Sequence, residues 1–314
     1  MISSGLVQRA TLRRLTPGDR VAFVAPASGI SADELDRAVA GLAAVGLSAS
    51  FDDSVFLKDR FTAGSAAARA EAIHKALLDP GVAGLFAVRG GYGSAQLLPL
   101  IDVKLLQSAR KPLIGYSDIT ALLCLYLQNG LTAVHGPMAD RRLSKGPEGF
   151  DVDSFRRVVM EPAPAGELRP PGLEPMHAGR ASGVLVGGTL TQLMALMGTP
   201  WAFHPPEGCI LFLEDIGERP YRIHRLLTQA AQAGIFGRAR AIVFGEFPGC
   251  IEPGGDPAIS DVLREFTAEL KCPVMFNFPS GHTAGPTWTL PLGVRAEVES
   301  GPSPVLRILE SAVE

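Results

Sequence analysis

Cysteine is scarce. Four stand among 314 residues, at positions 124, 209, 250 and 272, and none is spaced as C-x-x-C. That argues against a disulfide framework and against a zinc site, and it fits a reducing cytoplasm. Positive charge is not in excess either. Lys+Arg 29 against Asp+Glu 32 leaves a net charge of −3, which gives no basic footprint for nucleic acid. No apolar run approaches the roughly 18 residues that a membrane span needs. The first twenty residues carry arginines but no apolar central stretch of the kind a signal peptide has, so export is not predicted. H-E-x-x-H and G-x-x-x-x-G-K-S/T are both missing, which removes support for a zinc peptidase of that type and for a P-loop NTPase.

Glycine and proline are what the chain has in plenty, with Gly 35 and Pro 25. Their joint share exceeds the average of roughly 12% but stays below the roughly 25–30% of low-complexity sequence. A folded protein with many turns is expected, and the length suggests about two domains. In the first half, short apolar runs alternate with helical stretches. Strands are expected at Arg20–Ala25, Val82–Val88, Pro112–Gly115 and Leu131–His135. Helices are expected at Ser31–Val45, with Ser31 as N-cap, and at Ala66–Leu78 and Asp118–Gln128. This alternation predicts an α/β fold whose mostly parallel sheet is flanked by helices. Five prolines between Glu161 and Pro175 then mark a linker, because proline continues neither a helix interior nor a central strand. The expected division is an N-terminal domain over 1–150, a Pro-rich linker over 151–180 and a C-terminal mixed α/β domain over 181–314. Strands in that last part are expected at Gly183–Val186, Cys209–Leu213, Ala239–Gly245 and Val294–Val298. Its helices are expected at Thr189–Met197, Tyr221–Ala233 and Ile259–Leu270.

Two loops in the first half invite chemistry. Arg89-Gly90-Gly91-Tyr92-Gly93-Ser94 begins like a dinucleotide fingerprint, but Gln96 takes the place of the third glycine. Pro26-Ala27-Ser28-Gly29 stands where the fingerprint should follow the first strand. The cofactor reading therefore fails twice. Two readings remain: a tight turn, or small residues that let backbone N–H groups approach a reacting oxygen. The second loop is Gly115-Tyr116-Ser117-Asp118-Ile119, where a strand turns sharply into a helix. There a serine hydroxyl would stand at the carboxyl end of the sheet, with the Asp118 N–H free at a helix start to hold an oxyanion. Equally, Ser117 could simply N-cap that helix.

A catalytic serine needs a base and the base needs a carboxylate. Of six histidines, His282 in Ser280-Gly281-His282-Thr283-Ala284-Gly285 is the strongest candidate, since loops on a rigid scaffold favour function. His135 ends a strand, where it could serve the site or cap the strand. His74, His177 and His204 lie in a charged helix, the linker and a loop. His224 is flanked by Arg222 and Arg225, whose charge disfavours the imidazolium. Glu214 and Asp215 end a buried strand, a costly place for an acid without a partner. Both Glu214 and Glu218 remain open, each also as a helix cap.

Together these motifs resemble the serine LD-carboxypeptidases, whose relatives include the microcin C immunity peptidases. The resemblance runs through VAFVAPAS, RGGYGSAQLLPLID, IGYSDITALL, HGPM, GGTLTQLMALMGTP, LFLEDIGERPYRIHRLL and GHTAGPTWTLPLG, in that order along nearly the whole chain. It implies an N-terminal α/β domain joined by a linker to a C-terminal domain with substantial β structure, and a homodimer. It also implies a triad of Ser117, Glu214 and His282. The expected oxyanion donors are the N–H of Asp118 and an N–H of Gly90 or Gly91. No metal or organic cofactor is expected. The implied substrate is a muropeptide, cut at its terminal D-alanine in the cytoplasm. Arg89 is a candidate for the terminal carboxylate, because a guanidinium fork suits that group; a plain surface role stands beside it. Two alternatives are kept: an immunity-type peptidase acting on a peptide–nucleotide toxin, and a ligand-binding protein without chemistry.

Overall fold

Apolar runs at Arg20–Val24 and Gly84–Ala87 are buried along almost their whole length, as strands covered on both faces must be. They sit in the middle of a sheet in the computed structural model, which describes residues 9–314. The first eight residues, part of the stretch read as lacking an export signal, lie outside the described residues. The chain runs through β1 (Arg20–Val24), α1 (Ala32–Ala43), β2 (Ser48–Ser50), α2 (Ala66–Leu78), β3 (Gly84–Ala87), α3 (Val103–Ala109), β4 (Leu113–Gly115), α4 (Thr120–Gln128) and β5 (Ala133–His135). It continues with α5 (Val152–Val159), β6 (Gly166–Leu168), β7 (Glu174–His177), β8 (Gly179–Thr189), α6 (Leu190–Ala195), β9 (Cys209–Glu214), α7 (Pro220–Gln232), β10 (Ala239–Gly245) and α8 (Ile259–Thr267). Last come β11 (Val274–Phe278), β12 (Leu290–Leu292), β13 (Arg295–Ser300) and β14 (Val305–Ile308).

The first sheet has the order β12-β5-β4-β3-β1-β2 and is parallel except for β12. The second has the order β6-β14-β13-β8-β9-β10-β11-β7, with a parallel centre from β8 to β11 and antiparallel flanks. This is the expected α/β fold, with a mostly parallel N-terminal sheet and a mixed C-terminal one. Local signals worked as anticipated at α1, where the Ser31 side chain accepts the Glu34 N–H and Leu35, Ala38 and Leu42 turn inward.

Three features depart from the sequence reading. The segment 151–180 is not bare linker: it holds α5, β6, β7 and the start of β8. Its two strands form opposite edges of the second sheet, where Pro175 is tolerated because an edge strand need not donate on its outer side. β12 crosses the expected boundary at 181, since it pairs antiparallel with β5 of the first sheet. One hydrophobic cluster accordingly runs from Leu12 to Val313 without a break at the linker. β2, α3, β11 and β14 are further elements beyond those expected.

The two sheets meet at the carboxyl ends of their strands. The Thr189 N–H at the end of β8 donates to the Thr120 hydroxyl at the start of α4, at 3.2 Å. Gly188 makes this approach possible. A Cβ there would stand 2.7 Å from Thr120 Cγ2.

Candidate active site

Ser117 lies between β4 and α4 with φ +62°, a backbone state that costs a non-glycine residue on the order of 1 kcal/mol or more. The sharp turn brings Ile119 back over Gly115. A Cβ at Gly115 would stand 2.9 Å from Ile119 Cγ2, so the isoleucine that replaces the last glycine of a G-x-S-x-G elbow packs against the first. The helix anticipated from Asp118 begins as a short 3-10 turn, Ser117–Ile119, and becomes α-helical at Thr120. The N-cap of the turn is Tyr116 and that of α4 is Ile119, neither with a side-chain cap bond. Capping is therefore not the role of Ser117.

The glycine loop is fastened to this elbow. Asp118, 2% exposed, accepts the Ser94 N–H at 2.7 Å, and the Ser94 hydroxyl donates to the Asp118 carbonyl. The buried Arg69 guanidinium holds the far side of the loop, donating to the carbonyls of Gly93 at 2.9 Å and Gly64 at 3.2 Å. Gly90 then lies against the serine. A Cβ at position 90 would stand 2.8 Å from Ser117 Cβ, 3.0 Å from its Oγ and 3.4 Å from the Asp118 nitrogen. The turn after the loop, Ser94–Leu97, is a four-residue 3-10 piece.

Glu214 and His282 form the second half of the site. Glu214 is fully buried at the end of β9. Its Oε2 accepts the His282 backbone N–H at 3.0 Å and pairs with His282 Nδ1 at 2.8 Å. Parallel register sets Thr189 beside Glu214, and the Thr189 hydroxyl donates to Oε1. Burial pushes the Glu214 carboxyl up, but the charge and hydrogen bond of His282 outweigh it and hold Glu214 below its usual range. A carboxylate only accepts, so Nδ1 carries the proton and Nε2 is left as the basic nitrogen. His282 itself is raised: burial lowers it, and the Glu214 charge and hydrogen bond more than compensate. Gly281, at φ +81°, has to be glycine. A Cβ there would stand 2.8 Å from both the Glu214 carboxyl carbon and His135 Cε1.

The two halves touch. The rings of Tyr116 and His282 meet edge to face with centroids 5.0 Å apart. Gly115 is in register with His135, and His135 Nε2 stands 3.9 Å from Glu214 Oε1. His135 is fully buried with Nδ1 3.0 Å from the Ser280 hydroxyl. Burial pushes its pKa down to about 4, so it is a neutral neighbour of the carboxylate. Glu218 goes elsewhere, pairing with Arg222 at 2.6 Å. Asp215 accepts from the Thr191 N–H and hydroxyl at 2.8 and 2.6 Å, so it holds the start of α6 rather than a histidine.

Arg89 is half exposed, with Nε 3.7 Å from the buried Asp140 carboxylate. The remaining histidines stay away from Glu214. His74 Nε2, for example, accepts the Asp102 N–H at 3.0 Å, and His224 packs edge-on against Phe266. The sequence reading missed Thr189, Arg142 and Glu246. Thr189 ends the GGT of a motif already singled out. Nothing in sequence marks the other two, which reach the His282 loop from remote segments. A serine at a strained elbow against close-packed glycine backbone, with a buried carboxylate–imidazole pair next to it, is equipped for nucleophilic acyl transfer.

Residues 21–136 match the family model of the LD-carboxypeptidase N-terminal domain, and residues 182–298 that of the LD-carboxypeptidase C-terminal domain. The murein tetrapeptide carboxypeptidase of Pseudomonas aeruginosa is 35% identical over 274 residues, covering 84% of this chain and 88% of that protein. A solved muramoyltetrapeptide carboxypeptidase from Oxalobacter formigenes superposes with a TM-score of 0.80 at 29% identity, covering 93% of this chain and 99% of that one. The structure of MccF in complex with glutamyl sulfamoyl guanosine superposes with a TM-score of 0.89 at 24% identity, covering 97% and 99%. The last shares the fold.

Proposed function

Because this chain belongs to the LD-carboxypeptidase family, we propose that it is a serine peptidase that releases the terminal D-alanine of murein tetrapeptides. The observation that carries the reading is the buried Glu214 carboxylate on His282 Nδ1, beside the elbow of Ser117.

The chemistry runs as follows. His282 Nε2 takes the Ser117 proton while Oγ attacks the carbonyl before the terminal D-alanine. Glu214 keeps the proton of the imidazole on Nδ1 and stabilises the imidazolium that forms. The N–H groups of Asp118 and of Gly90 or Gly91 hold the oxyanion. One such donor is worth about 3–4 kcal/mol in other enzymes. As the C–N bond breaks, His282 returns the proton to the leaving amine. Water, deprotonated by the same imidazole, then hydrolyses the ester and restores Ser117. Every step uses side chains and backbone of this chain, so no metal or organic cofactor is required. Arg89 is offered as the group for the terminal carboxylate of the substrate. A cytoplasmic site of action and a homodimer complete the proposal. Among the described residues, no helix is long and apolar enough to cross a membrane.

A second reading has an observation in its favour. Exposed Phe61 meets the exposed Tyr92 of the glycine loop edge to face at 6.1 Å. Such a pair could take a nucleobase by stacking, which would suit an immunity-type peptidase. Trp288, by contrast, is partly buried against Phe278. The deciding experiment gives purified protein a murein tetrapeptide ending in D-alanine and, separately, a peptide–nucleotide conjugate. Free D-alanine supports the first reading. Cleavage of the conjugate alone would replace it with the second.

A further inference from the structure

Arg142 follows β5 in the turn Ala139-Asp140-Arg141-Arg142, whose backbone is tied to the end of β3: Ala139 N–H donates to Ala87 O at 3.1 Å and Asp140 N–H to Val88 O at 2.9 Å. Its guanidinium is buried, 8% exposed. A guanidinium has five N–H donors in a fixed plane, and here all five are engaged. Nε donates to the Tyr116 hydroxyl at 3.1 Å. Nη1 donates to Gly285 O at 2.9 Å and Gly149 O at 3.4 Å. Nη2 donates to Gly281 O and Thr283 O, both at 3.0 Å.

Three of these acceptors bracket His282 at positions −1, +1 and +3. A fourth belongs to the residue directly before Ser117. The opposite side of the same loop is held by an anion: Glu246 accepts the Thr283 hydroxyl at 2.6 Å and the Ala284 N–H at 2.9 Å. Loop carbonyls thus meet a cation and loop donors meet a carboxylate. Among the described residues, Arg142 makes no salt bridge, and the oxygens its guanidinium donates to are four carbonyls and one phenol.

We infer that Arg142 is a positioning residue that sets the His282 loop in register with the Ser117 elbow. The inference rests on the reading of Ser117 and His282 as nucleophile and base. A rigid fork spanning both pieces fixes their separation, and a base displaced by about 1 Å can cost a hundredfold in rate. Such a residue touches no substrate, so its loss should appear in kcat and leave KM alone.

The test uses the full chain and release of D-alanine from a murein tetrapeptide. Folding of each variant is checked by circular dichroism and thermal melting, and Ser117→Ala serves as control. Arg142→Gln should lower kcat by about a hundredfold or more while KM stays within about threefold. In Arg142→Ala, guanidinium ion at tens of millimolar should recover kcat by about tenfold or more, and it should recover nothing in Ser117→Ala. A parent-like kcat in Arg142→Gln, or a loss confined to KM, overturns the inference while inactive Ser117→Ala leaves the nucleophile in place. Active Ser117→Ala would instead bring down the triad reading itself. Should the Gln and Ala variants not fold, Arg142→Lys and Tyr116→Phe carry the test. Each removes part of the fork's contacts and should lower kcat about fivefold or more at unchanged KM; parent-like kcat in both overturns the inference.

Discussion

Glu214 Oε2 accepts two hydrogen bonds from one residue, the backbone N–H of His282 at 3.0 Å and the imidazole Nδ1 at 2.8 Å. The double contact fixes both the position and the tautomer of the histidine. It also sets the pH behaviour. His282 is raised above its usual value of about 6.5 by the Glu214 charge, against a lowering by burial. A base works only when neutral, so kcat/KM should rise with pH through a pKa above that value. Glu214→Gln removes the raising charge and leaves burial to act. Its acid limb should move to lower pH, and its plateau should fall by about 10⁴-fold, as for an orienting carboxylate elsewhere. A pH–rate profile of both proteins checks the sign. A limb that moves upward in the variant would contradict the assignment.

The positive φ of Ser117 makes a prediction about stability. Alanine at 117 keeps the left-handed strain, whereas glycine relieves it. Glycine ordinarily costs about 0.5–1 kcal/mol through the entropy of the unfolded chain. Ser117→Gly should nevertheless be at least as stable as Ser117→Ala in urea unfolding, while both lack turnover. A glycine variant weaker by more than about 1 kcal/mol would show that the elbow is unstrained.

Gly90→Ala tests the approach of the glycine loop to the nucleophile. The added methyl would meet Ser117 Cβ at 2.8 Å, so the serine or the loop must move. Turnover should fall by about a hundredfold or more, with a stability loss of about 1–3 kcal/mol. Gly237→Ala is the control, because open space surrounds its Cβ position, and it should keep parent-like kcat. Equal kcat in the two variants would remove Gly90 from the site.

Thr189→Val removes one hydroxyl and little volume. It leaves Glu214 Oε1 buried without its donor. The expected cost is about 1–3 kcal/mol, read as a lower urea midpoint at unchanged slope. An unchanged midpoint would mean that the hydroxyl does not serve the carboxylate.

The sequence by itself determined a good deal. Apolar runs alternating with amphipathic helices specified the parallel sheet of the first half, since periodicity and caps such as Ser31 are local signals. Ser117 was legible because strand, glycine and helix adjoin in sequence, and His282 because glycine flanks it. Local sequence left Ser117 between capping and catalysis, and the carboxylate between Glu214 and Glu218. The family resemblance then favoured one of each. Tertiary structure alone decided what surrounds them. Register between β8 and β9 set Thr189 on Glu214, and register between β4 and β5 put His135 next to the elbow. Arg142 and Glu246 met on one loop although Arg142 is about 140 residues from it in sequence. β12 and the edge strands around the prolines were equally unreadable. Pairing between distant segments depends on which backbones and polar groups are left unsatisfied after folding, and no local pattern records that.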